Sequence, residues 1–131
     1  MKRILVILLT LALIVVLPGC SKESSKYEPI DGSVKLTDAN GKVILDTDLT
    51  LQLKSPTAKD AVIKACKENG ISYTFKNGMF DNFNGIASTK DAGWILYVDD
   101  KVSEVGASDA KLDYWFRVEF KYQNYSETLK Y

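Results

Sequence analysis

The stretch Thr57-Ala58-Lys59-Asp60-Ala61-Val62-Ile63-Lys64-Ala65-Cys66-Lys67-Glu68-Asn69-Gly70 carries both ends and the buried stripe of a helix. Thr57 can cap an orphan amide, and Asp60 stands three residues on, in the positive first turn, so the two form a capping box. At about 100° per residue Ala58, Ala61, Val62, Ala65 and Cys66 share one face, whereas Lys59, Lys64, Lys67 and Glu68 lie off it. Asn69-Gly70 closes the helix, because glycine tolerates the left-handed conformation of a helix end. The spacing predicts a helix over 58–69 whose alanines let it approach a sheet closely.

On the N-terminal side, Val34 and Leu36 alternate with Ser33, Lys35 and Thr37, and Asp38-Ala39-Asn40-Gly41 signals a turn before Val43-Ile44-Leu45. Leu49, Leu51 and Leu53 then alternate with Thr50, Gln52 and Lys54, which places three leucines on one face of a strand. These stretches predict an antiparallel hairpin that Ser55-Pro56 ends. On the C-terminal side, Ile71, Tyr73 and Phe75 alternate up to the turn Lys76-Asn77-Gly78. Residues 79–92 have no clean period and read as a long loop with a short extended piece at Phe83 to Ile86, in which Phe80 and Phe83 either face a ligand or, the preferred reading, pin the loop to the core. Gly93 to Val98 is apolar on both faces, which argues for a central strand, and Asp99-Asp100-Lys101 turns it. In the last strand Phe116, Val118, Phe120 and Tyr122 face one way, and Trp115, Arg117, Glu119 and Lys121 the other. The expected fold class is α+β: an N-terminal β-hairpin, one helix packed on a mixed sheet, and about three further strands, an order that resembles the β-grasp arrangement.

The first residues form an address. Lys2 and Arg3 precede an apolar run from Ile4 to Leu17, broken only by Thr10. That is too short for the roughly 20 residues of a bilayer-spanning helix and within the range of a signal peptide. Leu17-Pro18-Gly19-Cys20 resembles the lipobox of bacterial lipoproteins, in which the cysteine sulfur receives a diacylglyceryl group and the signal is cut just before it. The alternative is an ordinary secreted protein whose Cys20 lies near its cleavage site. Two acyl chains hold a protein on a membrane where one does not. Residues 1–19 are thus expected to be a signal peptide, 20–30 a lipid-anchored tether, 31–123 a β domain and 124–131 a frayed tail. Ten tether residues reach about 35 Å when extended and about 17 Å as a coil. The expected location is the outer face of the cell membrane. With Cys20 acylated, Cys66 is the one thiol left and no internal disulfide forms.

Composition narrows the function. The 131 residues, 46% hydrophobic and 26% charged, leave no room for a second large domain. With Lys2 and Arg3 set aside, 15 Lys and Arg face 17 Asp and Glu, a net charge of −2 with no basic footprint for nucleic acid. Histidine is absent, which removes hydrolytic triads, His-ligated zinc and imidazole acid–base chemistry. Asp46 with Asp48, and Asp99 with Asp100, lack the spacing and glycine of a calcium loop and read as solvated turns. Cys66 reads as a small buried hydrophobe. No pair of carboxylates declares a glycosidase. An enzyme is a distant third choice, with no catalytic residue or metal ligand assigned.

Phe83-Asn84-Gly85-Ile86, then Gly93-Trp94-Ile95-Leu96-Tyr97-Val98-Asp99-Asp100, then the strand from Trp115 to Tyr122 resemble the small C-terminal β domain of transcobalamin and intrinsic factor. They are similar, more closely, to bacterial surface domains of uncharacterised function that share it. The resemblance spans about Ser33 to Tyr122. It departs from the pattern at Asp99-Asp100, where those relatives usually have Asn-Gly, and at Leu112 to Trp115, where Asp-Gly-Asp is common; the large helical domain of the vertebrate proteins is absent. The resemblance implies a binding module for a corrinoid, a cobalamin-like ligand and not a cofactor, with handover to a membrane transporter. A lone domain covers at most part of such a ligand, so tight capture needs a second protein or a second copy. Ligand contacts are expected from Asn84, Gly85, Trp94, Tyr97 and Trp115. Alternation puts Trp94 and Tyr97 on opposite faces, so one of them fills the core. Trp115 on a polar face suits a ligand, a partner or a lipid headgroup, or else is covered by the preceding loop. The alternative from another class is a domain that docks on surface proteins or cell-wall polymers and takes no small molecule.

Overall fold

The computed structural model describes residues 26–128; the expected signal peptide, the expected acylation site Cys20 and the end of the tail lie outside them. β1 (Ile30–Thr37) and β2 (Val43–Leu51) form the expected antiparallel hairpin, with a bulge between Leu36 and Thr37 beside the turn. β2 ends at Leu51, so Leu49 and Leu51 reach the core and Leu53 is exposed. α1 spans Ala58–Asn69; Thr57 and Asp60 form the capping box, Gly70 closes it, and the buried residues are the five of the expected stripe.

After α1 the chain makes six strands where about three were expected. β3 (Tyr73–Lys76), β4 (Met79–Phe83) and β5 (Ile86–Ala87) form a small antiparallel sheet in the region read as a loop. The period was hidden by a bulge: Phe75 pairs with Phe80 and Thr74 with Asn82, which leaves Asp81 unpaired in the register. The extra residue brings Phe80 and Phe83, three apart, to the same buried face, where their rings stack at 5.2 Å.

β6 (Ala92–Val98), β7 (Lys101–Val102) and β8 (Phe116–Asn124) join the hairpin in a five-stranded sheet of order β2-β1-β8-β6-β7. β8 runs parallel to β1 and antiparallel to β6. β6 is therefore second from the edge, with only Tyr97 and Val98 paired to β7. The fold is α+β, and the parallel pairing of first and last strands at the sheet centre gives it the β-grasp character. One face of the sheet buries Val34, Leu36, Phe116, Val118 and Phe120 together with the helix residues Val62 and Cys66. Gly32 admits the β8 neighbour: a Cβ there would stand 2.4 Å from the Phe116 ring. The chain beyond Asn124 starts with the short α2 (Tyr125–Thr128), whose Tyr125 amide donates to the Asp91 carbonyl at 3.0 Å.

The segment between β7 and β8 is packed, not loose. Ala107, Ala110 and Leu112 are buried, and the carbonyls of Ala110 and Ala107 accept the first two amides of α1, Ala58 at 2.9 Å and Lys59 at 3.0 Å. It occupies the helix N-terminus and delivers Tyr114 and Trp115 to the start of β8. Among the described residues no helix is long and apolar enough to cross a membrane.

Candidate functional site

At the start of β8 the open face of the sheet dips into a groove of about 910 Å³. Register explains its lining. Ser33 pairs with Asp48 on one side and Arg117 on the other, and Asp31 pairs with Thr50. Alternation turns these side chains away from the helix. Asp99 contributes from the β6–β7 turn, and Tyr114 and Trp115 form the rim. The Thr50 hydroxyl donates to the Asp31 carboxylate. Asp99 accepts the Arg117 amide at 3.0 Å through Oδ1, and the Arg117 guanidinium pairs with Asp100.

Trp115 is 76% exposed. Its backbone is left-handed, with φ of 62°, and is held there by its amide, which donates to the Asp31 carbonyl at 2.8 Å. A side chain in that conformation costs about 1–2 kcal/mol relative to glycine. An indole in water on a strained backbone contributes no burial in return, and strain of this kind collects at ligand clamps. Tyr114 beside it donates its hydroxyl to Glu28 at 2.6 Å, and that carboxylate raises the phenol pKa above its ordinary value.

The five sequence-derived contact candidates do not converge. Trp94 is only 6% exposed; its indole packs edge-on against Phe83 and Tyr122, and its Nε1–H donates to the Ile86 carbonyl at 2.8 Å. Trp94 is thus the one that fills the core. Tyr97 lies on the open face, with its hydroxyl on Gln123 at 2.6 Å and the Lys121 ammonium 4.7 Å over its ring. Asn84 and Gly85, with φ of 54° and 83°, are the exposed tip of the β4–β5 turn. Tyr122, which reaches β5 through the Ala87 carbonyl, lies seven residues along β8 from Trp115, about 23 Å at strand rise. Only Trp115 is in the groove, and Tyr97 shares its sheet face. Cys20 lies outside the described residues.

Sequence reasoning passed over Asp31, Asp48, Tyr114 and Arg117 as lining residues. The available signal was a Tyr-Trp pair placed just ahead of a strand, on its polar side. Among the described residues no group of three His, Cys, Asp or Glu is placed to hold a metal ion. Cys66 is buried on α1, and burial pushes its thiol up to about 11.

A family model described as "Domain of unknown function (DUF4430)" matches residues 56–124, more than half of the chain. Several solved structures share the fold. A crystal structure of haptocorrin in complex with Cbi superimposes with a TM-score of 0.58 at 16% identity, over 72% of this chain and 25% of that one. The chain thus spans about a quarter of haptocorrin. A candidate metal-binding protein from Ruminococcus gnavus ATCC 29149 superimposes with a TM-score of 0.53 at 8% identity, over 72% of this chain and 97% of that one. No curated protein sequence matches.

Proposed function

We propose that this chain, which belongs to the DUF4430 family, is a non-enzymatic binding module, lipid-anchored through Cys20 on the outer face of the cell membrane. Its groove takes a flat small molecule, a corrinoid being the first to test, and passes it to a membrane transporter. The observation that carries the reading is Trp115, an indole exposed at the rim of a groove on a backbone fixed by its amide bond to the Asp31 carbonyl. An aromatic face gives a flat ligand a large contact area with little rotamer entropy to lose. The fold shared with haptocorrin, solved in complex with Cbi, supports a corrinoid. The groove is open, which suits partial cover of a large ligand completed by a second molecule.

Titration of the lipid-free chain, residues 21 to 131, with cyanocobalamin and precursor corrinoids by calorimetry tests this. Saturable heat is expected, and it should vanish in Trp115→Gly. No heat at millimolar ligand overturns autonomous corrinoid binding. Separately, the mature chain from the membrane fraction should carry a thioether-linked diacylglyceryl group on an N-terminal Cys20, read by mass spectrometry; an unmodified Cys20 overturns the anchor. A second reading, docking on a surface protein or wall polymer, draws on the exposed side chains of Met79, Val102 and Val105. Unchanged capture of a partner by Trp115→Gly would favour it.

A further inference from the structure

We infer that the groove selects positive charge, so that its ligand is a flat molecule bearing net positive charge on the side that meets Asp31 and Asp48. The inference rests on the groove being the binding site. Asp31, Asp48 and Asp99 line it against a single cation, Arg117, and the Arg117 guanidinium is already paired with Asp100 outside the lining. The next row of the sheet does not repay the difference, because Lys35 stands between Asp46 and Glu119. The Asp31 carboxylate is oriented by the Thr50 hydroxyl, and Asp48 sits two residues along the same strand from Thr50. The face of an indole is the negative side of its quadrupole and attracts cations. An anionic ligand would meet a π face together with carboxylates whose charge no ion pair among the described residues offsets, whereas a cation is favoured by both.

The two indoles of the chain make the potential measurable without any ligand, since Trp94 is buried and Trp115 exposed. At low salt, caesium should quench the fluorescence of residues 21 to 131 roughly threefold better than iodide, each normalised to a free tryptophan amide. The preference should fall towards one in Asp48→Asn and in high salt. Equal normalised quenching overturns the inference. The second arm uses dicyano-, aquacyano- and diaqua-cobinamide, in which each cyanide replaced by water adds one positive charge at nearly constant shape. Affinity should rise about threefold or more per step. Binding of equal strength along the series overturns charge selection while leaving the corrinoid reading intact. A caesium preference with no corrinoid bound overturns the corrinoid reading and leaves a cationic ligand of another kind.

Discussion

Trp94 and Trp115 lie near opposite ends of β8, and the two ends are built by opposite rules. Around Trp94 the rings of Phe83 and Tyr122 interlock at 5.0 and 5.3 Å, and the indole N–H is satisfied. The positive φ angles of the neighbouring small sheet fall on the pairs Asn77-Gly78 and Asn84-Gly85, which tolerate them. Around Trp115 the indole is in water, and the positive φ angles fall on Asp99, Asp100 and Trp115 itself. The first end contributes stability. The second spends it, and it does so where the groove is.

The largest effect that would break this contrast is at the core end. Trp94→Ala should cost about 3–5 kcal/mol in urea unfolding; a loss under about 1 kcal/mol would show that the aromatic cluster is not the anchor described. The core also makes a pH prediction through Cys66, whose pKa rises from its ordinary 9.0 to about 11. Between those values the unfolded thiol ionises first, the native state binds more protons, and stability falls as pH rises. The urea midpoint of the wild type should therefore decline more steeply from pH 9 to 11 than that of Cys66→Ala, with parallel curves counting against a sealed thiol. Gly85→Ala, at φ of 83° with open space around it, should cost about 1 kcal/mol. The smallest effect has the opposite sign. Trp115→Gly should leave stability unchanged or raise it by up to about 1 kcal/mol, measured by thermal melting, and a clear loss would mean that Trp115 supports the fold.

The parts of this fold that were legible are those whose signals are local. The cap residues Thr57 and Gly70, the stripe from Ala58 to Cys66, and the alternation through β8 each lie within one element. The small sheet was not legible, because Asp81 adds one residue to β4 and converts a period of two into a spacing of three between Phe80 and Phe83. The groove was legible only at Trp115. Its other walls come together through the pairing of β1 with β8, which joins residues more than eighty positions apart, and nothing near Asp31 or Arg117 in the chain announces the other. The left-handed turn at Trp115 gave no sign either, since a tryptophan is among the last residues expected there.

The parallel pairing of β1 and β8 also has a mechanical consequence. A tension that draws the N-terminal side of the domain one way and the C-terminal side the other slides these strands along each other. The register pairs from Gly32 with Phe116 to Thr37 with Lys121 then bear the load together and do not peel apart in turn. The antiparallel neighbours β2 and β6 flank that pair on either side. Such a clamp is built to stay closed under shear, and the groove is sited at the end of it where β1 and β8 begin.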